Sequence, residues 1–331
     1  MATHGQHADG HHGHRHAFID PTMVSTDRGV WALKWSFVGL LATALIQLVV
    51  VGMSGSVSLL ADTIHNFADA ATAIPLWIAF AFSRLKPSRR FPHGYGRVED
   101  LAGIAIVLTI LFSALVAGYQ SVLRLLHPRP VSHLAAVVIA AVLGFAGNEA
   151  VALFRIKVGR DIGSAALVAD GYHARADGLT SLAVLGGAVG VWFGYPMADA
   201  LIGVLITLVI LVLVWQSTRT VLSRMLDGVE PEILEAAEHA ARHAPGVRDV
   251  AEVRARWVGH RLSMELSIAV DPALSVTGGH EIAKEVRHQI LHHLPHVSSV
   301  TVHVDPTTEP GEEFHRVEAH AHDGLPVHSH V

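Results

Sequence analysis

Ala61-Asp62-Thr63-Ile64-His65-Asn66-Phe67-Ala68-Asp69 and Ala169-Asp170-Gly171-Tyr172-His173-Ala174-Arg175-Ala176-Asp177 are one pattern, A-D-x-x-H-x-x-A-D, written twice in a single chain. On a helix, residues three and four apart share a face, so Asp62, His65 and Asp69 form one polar stripe and Asp170, His173 and Asp177 another. Each stripe is set in strongly apolar sequence. An ionisable group at mid-bilayer costs about 2.5–3.5 kcal/mol on insertion scales, so it faces a cavity or a partner rather than lipid.

Around these stripes the chain has six stretches able to cross a hydrocarbon core of ~30 Å, which takes about 20 helical residues. They are Val30–Gly52, Ser56–Phe82, Val98–Leu126, Leu134–Phe154, Ala165–Phe193 and Met197–Gln216, and the two stripes fall in the second and the fifth. The connectors Met53-Ser54-Gly55 and Gly194-Tyr195-Pro196 are short enough to make antiparallel hairpins of their flanking spans. The N-terminus lacks the charged-then-apolar-then-small pattern of a cleaved signal, so the first span is expected to stay.

Composition agrees with a membrane domain. Of 331 residues, 51% are hydrophobic and 16% charged, against roughly a quarter charged in soluble proteins, which excludes a plain cytosolic enzyme. There is no cysteine, so disulfides, thiol chemistry and iron–sulfur clusters are excluded, and any metal chemistry must use imidazole and carboxylate. The formal net charge of −5 gives no footprint for a nucleic acid.

Basic residues orient the spans. Arg84, Lys86, Arg89, Arg90 and Arg97 lie between spans two and three, Arg155, Lys157 and Arg160 between four and five, and Arg219 and Arg224 after six; the other side has Arg124 and Arg129. Both termini are therefore expected in the cytoplasm. From Gly228 the pattern becomes that of a soluble domain: helix Pro231–Ala244, strands Val247–Trp257 and Arg261–Val270, helix Gly278–Leu294 and strand Ser299–Val304. Leu262, Met264, Leu266, Ile268 and Val270 recur with period two, as in a half-buried strand.

The predicted fold is thus an all-α six-helix membrane domain followed by a C-terminal cytoplasmic α+β domain of α-β-β-α-β, ferredoxin-like order. Its predicted boundaries are a His-rich N-terminal tail at 1–27, the membrane domain at 28–226, the α+β domain at 227–306 and a His-rich C-terminal tail at 307–331, both tails disordered. The tail histidines suit weak metal buffering, at a cost in ordering entropy.

Facing one another, His65, Asp69, His173 and Asp177 supply two nitrogens and two oxygens, the ligand number a tetrahedral Zn²⁺ accepts. Two carboxylates also balance one divalent cation, and since ligation needs unprotonated imidazole, metal and protons compete for the site. Asp62 and Asp170 have three roles open to them, as ligands, as helix-packing residues or as orienters of the histidines, and the last is preferred because a ligating imidazole commonly has a carboxylate or carbonyl partner. Three readings compete: inter-helix hydrogen bonds alone, a haem held by His65 and His173, for which nearby carboxylates are poor neighbours, and a membrane hydrolase, which lacks an evident general base.

The paired H-x-x-x-D in spans two and five, the loop Pro92-His93-Gly94-Tyr95-Gly96-Arg97-Val98-Glu99 and the small α+β domain resemble the cation diffusion facilitator family over about residues 28–306. The resemblance implies a homodimeric exporter in a lipid bilayer, moving Zn²⁺ or a similar ion (Cd²⁺ next, then Co²⁺, Ni²⁺, Mn²⁺ or Fe²⁺) against inward protons, with no organic cofactor. It implies a bacterial inner-membrane location, regulatory zinc in the cytoplasmic domain through His280, His303 and Asp305, and a charge pair of Arg97 with Asp227 across the dimer.

Overall fold

The computed structural model describes residues 21–54, 73–126, 134–195 and 197–308. The membrane domain contains α1 (Pro21–Ser54), α2 (described over Ala73–Ser83), α3 (Arg97–Leu126), α4 (Leu134–Ile162), α5 (Ala165–Trp192) and α6 (Ala198–Met225). By length and composition, α1, α3, α4 and α6 can each cross a membrane. Leu201, Leu205, Leu208, Val212 and Trp215 make an exposed apolar stripe along α6, and Leu101, Leu108, Phe112, Leu115 and Tyr119 another along α3. Their three-and-four spacing is that of one helix face turned to lipid.

α5 is different in kind. Its first half is buried around the whole circumference, including Leu167, Ala169, Asp170, Gly171, His173, Ala174, Ala176, Asp177 and Gly178. Small residues make this enclosure feasible by letting neighbouring backbones come close. A Cβ on Gly171 would stand 2.9 Å from the Ile156 nitrogen of α4, and one on Gly159 would stand 2.9 Å from the Val168 nitrogen of α5. The core of the bundle is built from Leu76 and Phe80 of α2, Ile106 and Ile110 of α3, Leu167 of α5 and Val214 and Val221 of α6.

Helix ends differ from expectation on the side of the α+β domain. α4 runs on from Phe154 to Ile162 and α6 from Gln216 to Met225, roughly two turns each. Hydropathy marks where the hydrocarbon ends, and a helix continues past that point while its polar residues find partners. α1 likewise starts at Pro21, inside the stretch expected to be a disordered tail to residue 27, because Thr26, Asp27 and Arg28 all have partners in the fold.

The cytoplasmic domain consists of α7 (Pro231–Arg242), β1 (Asp249–Val258), β2 (Arg261–Val270), α8 (Val276–His293) and β3 (Val297–Pro306). The sheet order is β1-β2-β3, with β1 and β2 antiparallel and β2 and β3 parallel. Leu262, Met264, Leu266, Ile268 and Val270 are buried with Ala237 and Ala241 of α7 and Val286 and Ile290 of α8. This is the expected fold class: a helical membrane domain joined to a small α+β domain.

Candidate functional site

Ser164 sets the position of α5. Its hydroxyl caps the helix by accepting from the Leu167 amide at 3.1 Å, and the preceding Gly163 takes φ 73, which glycine adopts without strain. From that start, α5 carries His173 and Asp177 into the bundle on one face. The His173 Nδ1 lies 3.7 Å from an Asp177 carboxylate oxygen, with the side chains 3% and 5% exposed. Both ring nitrogens of His173 are buried without a hydrogen-bond partner among the described residues. His65, Asp69 and Asp62 lie outside the described residues.

Asp170 has a different neighbour from the one expected. Its partner is Arg155 of α4 rather than His173, with a nitrogen–oxygen separation of 2.9 Å and side chains 1% and 0% exposed. The cause is the length of α4: Arg155, assigned from sequence to a cytoplasmic loop, is helical and faces α5 where Gly171 brings the two backbones together. A second pair joins the same helices, Arg175 to Glu149, at 2.7 Å and 3.2 Å through two guanidinium nitrogens. This two-pronged geometry is directional as well as attractive. α4 and α5 therefore hold the described half of the site on a stapled pair of helices.

At the helix ends beside the α+β domain, Arg97 and Asp227, expected to pair across the dimer, form an ion pair within one chain. The start of α3 lies beside the end of α6, and Asp227 turns the chain at φ 60, so its carboxylate reaches the neighbouring helix of its own protomer. Arg97 also donates to the Arg224 carbonyl at 3.1 Å. In the cytoplasmic domain His303 Nε2 meets the buried Asp305 carboxylate at 2.8 Å. His280 is exposed at the start of α8, and among the described residues no group of three or more metal-ligating side chains is gathered.

A family model described as the cation efflux transmembrane domain matches residues 33–226, and one described as the cation efflux protein cytoplasmic domain matches residues 229–307. The chain belongs to the cation diffusion facilitator family. It is similar to a probable cation efflux system protein of Mycobacterium tuberculosis, at 51% identity over 87% of each chain. It is also similar to the manganese efflux system protein MneP of Bacillus subtilis, at 24% identity over 86% of this chain and 100% of that one. The zinc transporter ZitB of Shigella flexneri is 25% identical over 96% of this chain and 98% of that one. As a cation diffusion facilitator, the chain is an integral membrane transporter whose substrate is a divalent metal cation.

Sequence reasoning missed the pairings of Arg155 with Asp170 and of Glu149 with Arg175. Glu149 stood inside an apolar span and was detectable as an ionisable residue in need of a partner. The partner itself was not readable, because the spacing that pairs Glu149 with Arg175 belongs to two helices.

Proposed function

We propose that this cation diffusion facilitator exports Zn²⁺, with Cd²⁺ as a second substrate, in exchange for H⁺ at a mid-membrane site made of His65, Asp69, His173 and Asp177. The observation that carries the proposal is the buried imidazole of His173, unpartnered among the described residues and one helical turn from a buried carboxylate. A buried polar group left unsatisfied costs about 1–3 kcal/mol, and a ligated cation removes that cost. The ion pair of Asp170 with Arg155 supports the charge balance, since it takes Asp170 out of the sum and leaves Asp69 and Asp177 to neutralise one M²⁺. Asp62 keeps the role of orienting His65, while Arg155 takes up Asp170.

Two imidazole nitrogens beside two carboxylates favour Zn²⁺ over harder ions, and a relative is named as a zinc transporter. Mn²⁺ is the second reading, favoured by the relative named for manganese efflux; Co²⁺, Ni²⁺ and Fe²⁺ follow. The active form is a homodimer in a bacterial inner membrane with both termini cytoplasmic; regulatory metal at His280, His303 and Asp305, which are not gathered within one chain, requires the dimer to bring ligands together. The test is uptake of a panel of divalent ions into proteoliposomes with and without an opposing proton gradient. Zn²⁺ uptake driven by that gradient is expected; uptake of Mn²⁺ with Zn²⁺ excluded would reverse the assignment.

A further inference from the structure

The turn between β1 and β2 is inserted into the cytoplasmic end of the membrane domain. At its tip His260 is 2% exposed and lies between two elements. Its Nδ1 is 2.6 Å from Oε2 of Glu99 on α3, and its Nε2 is 2.9 Å from the Thr26 hydroxyl on α1. Nδ1–H donates to the Glu99 carboxylate, and Nε2 shares a hydrogen bond with the Thr26 hydroxyl. The Phe80 ring of α2 covers the imidazole with centroids 5.6 Å apart. Beside it the Gly259 amide donates to Asp100 at 3.2 Å, and Gly259, at φ 62, fits so tightly that a Cβ would stand 2.8 Å from the Gly96 carbonyl oxygen.

Each contact leads on to a part of the transporter. The other oxygen of Glu99 accepts from the hydroxyl of Ser164, the cap that starts α5 and so sets the height of His173 and Asp177. Thr26 is followed by Asp27 and Arg28, which pair with Arg84 beyond the end of α2 and, at 3.3 Å, with Asp161 near the end of α4. One imidazole from the cytoplasmic domain therefore meets α1 and α3 directly, α5 through Glu99, and the ends of α2 and α4 through the neighbours of Thr26.

We propose that His260 is a positioning residue for transport: the docked β1–β2 tip fixes the cytoplasmic ends of α1, α3 and α5 relative to one another, and through it the cytoplasmic domain sets the turnover rate. This rests on the transport reading above. Among the described residues, His260 touches none of the proposed ligands, so its loss is expected to act on kcat more than on KM.

The experiment measures uptake by full-length protein in proteoliposomes, using Zn²⁺ or whichever divalent ion the wild type carries. His260→Ala is expected to lower kcat about tenfold or more with KM within twofold, and Glu99→Gln, which keeps the shape and an acceptor, is expected to lose less than Glu99→Ala. Wild-type kcat in His260→Ala, or equal losses in Glu99→Gln and Glu99→Ala, would overturn the proposal. Failure of the wild type to carry any divalent ion would count against the transport reading instead.

Discussion

Arg155 of α4 and Asp170 of α5 form an ion pair sealed from solvent, at 2.9 Å, one helical turn before His173. Breaking a buried pair from one side strands a charge, at a cost of about 3–5 kcal/mol, whereas replacing both partners with apolar groups is often neutral. Arg155→Leu is therefore expected to lower the melting temperature in detergent sharply, and Arg155→Leu with Asp170→Leu to recover most of the loss. Equal destabilisation by the single and double variants would show that the pair is not the source.

His65→Asp changes the proposed donor set from two nitrogens to one and adds a negative charge. Harder, oxygen-preferring ions gain from both changes. Competition uptake should show Mn²⁺ rising relative to Zn²⁺, and an unchanged ion ranking would remove His65 from the site.

The pair of Arg97 with Asp227 is about half exposed, which limits it to roughly 0–1 kcal/mol. Asp227 also occupies the left-handed region at φ 60, which Asp and Asn tolerate and bulkier residues do not. Asp227→Asn should cost little, while Arg97→Asp with Asp227→Arg should recover only part of the stability lost in the single variants. Full recovery in thermal melts would mean that charge, not backbone, decides this position.

His296 introduces a pH dependence of stability. Burial holds its imidazole below the ordinary 6.5, and the nearby His260 and Arg224 act in the same direction. The folded state thus keeps the neutral ring, so the stabilisation is complete above about pH 6.5 and is lost as pH falls through the lowered value. His296 sits at φ 68, so His296→Asn preserves the turn without the titration. The variant should lose less melting temperature than wild type between pH 7.5 and 5.5; equal losses would assign the acid sensitivity elsewhere.

The period-two apolar residues of β2 and the long apolar runs made the two-domain architecture legible, because burial on one face or in lipid leaves a local pattern. The stripe of His173 and Asp177 was legible for the same reason: i, i+4 spacing is a property of one helix. Arg155 was misplaced because hydropathy ends where the hydrocarbon ends, and α4 does not. His260 with Glu99 was invisible, since a contact between residues 161 positions apart leaves no local period. Neither residue is unusual where it stands in the sequence; the fold alone makes them partners.

The proposed transport site carries a divalent cation on His65, Asp69, His173 and Asp177. Its most direct test is the initial rate of Zn²⁺ uptake into proteoliposomes by Asp177→Ala, with protein yield and oligomeric state checked against wild type. Removal of Asp177 takes away one ligand and one balancing charge, so uptake is expected to fall to the protein-free background while the fold persists. Uptake near the wild-type rate would contradict the four-ligand site.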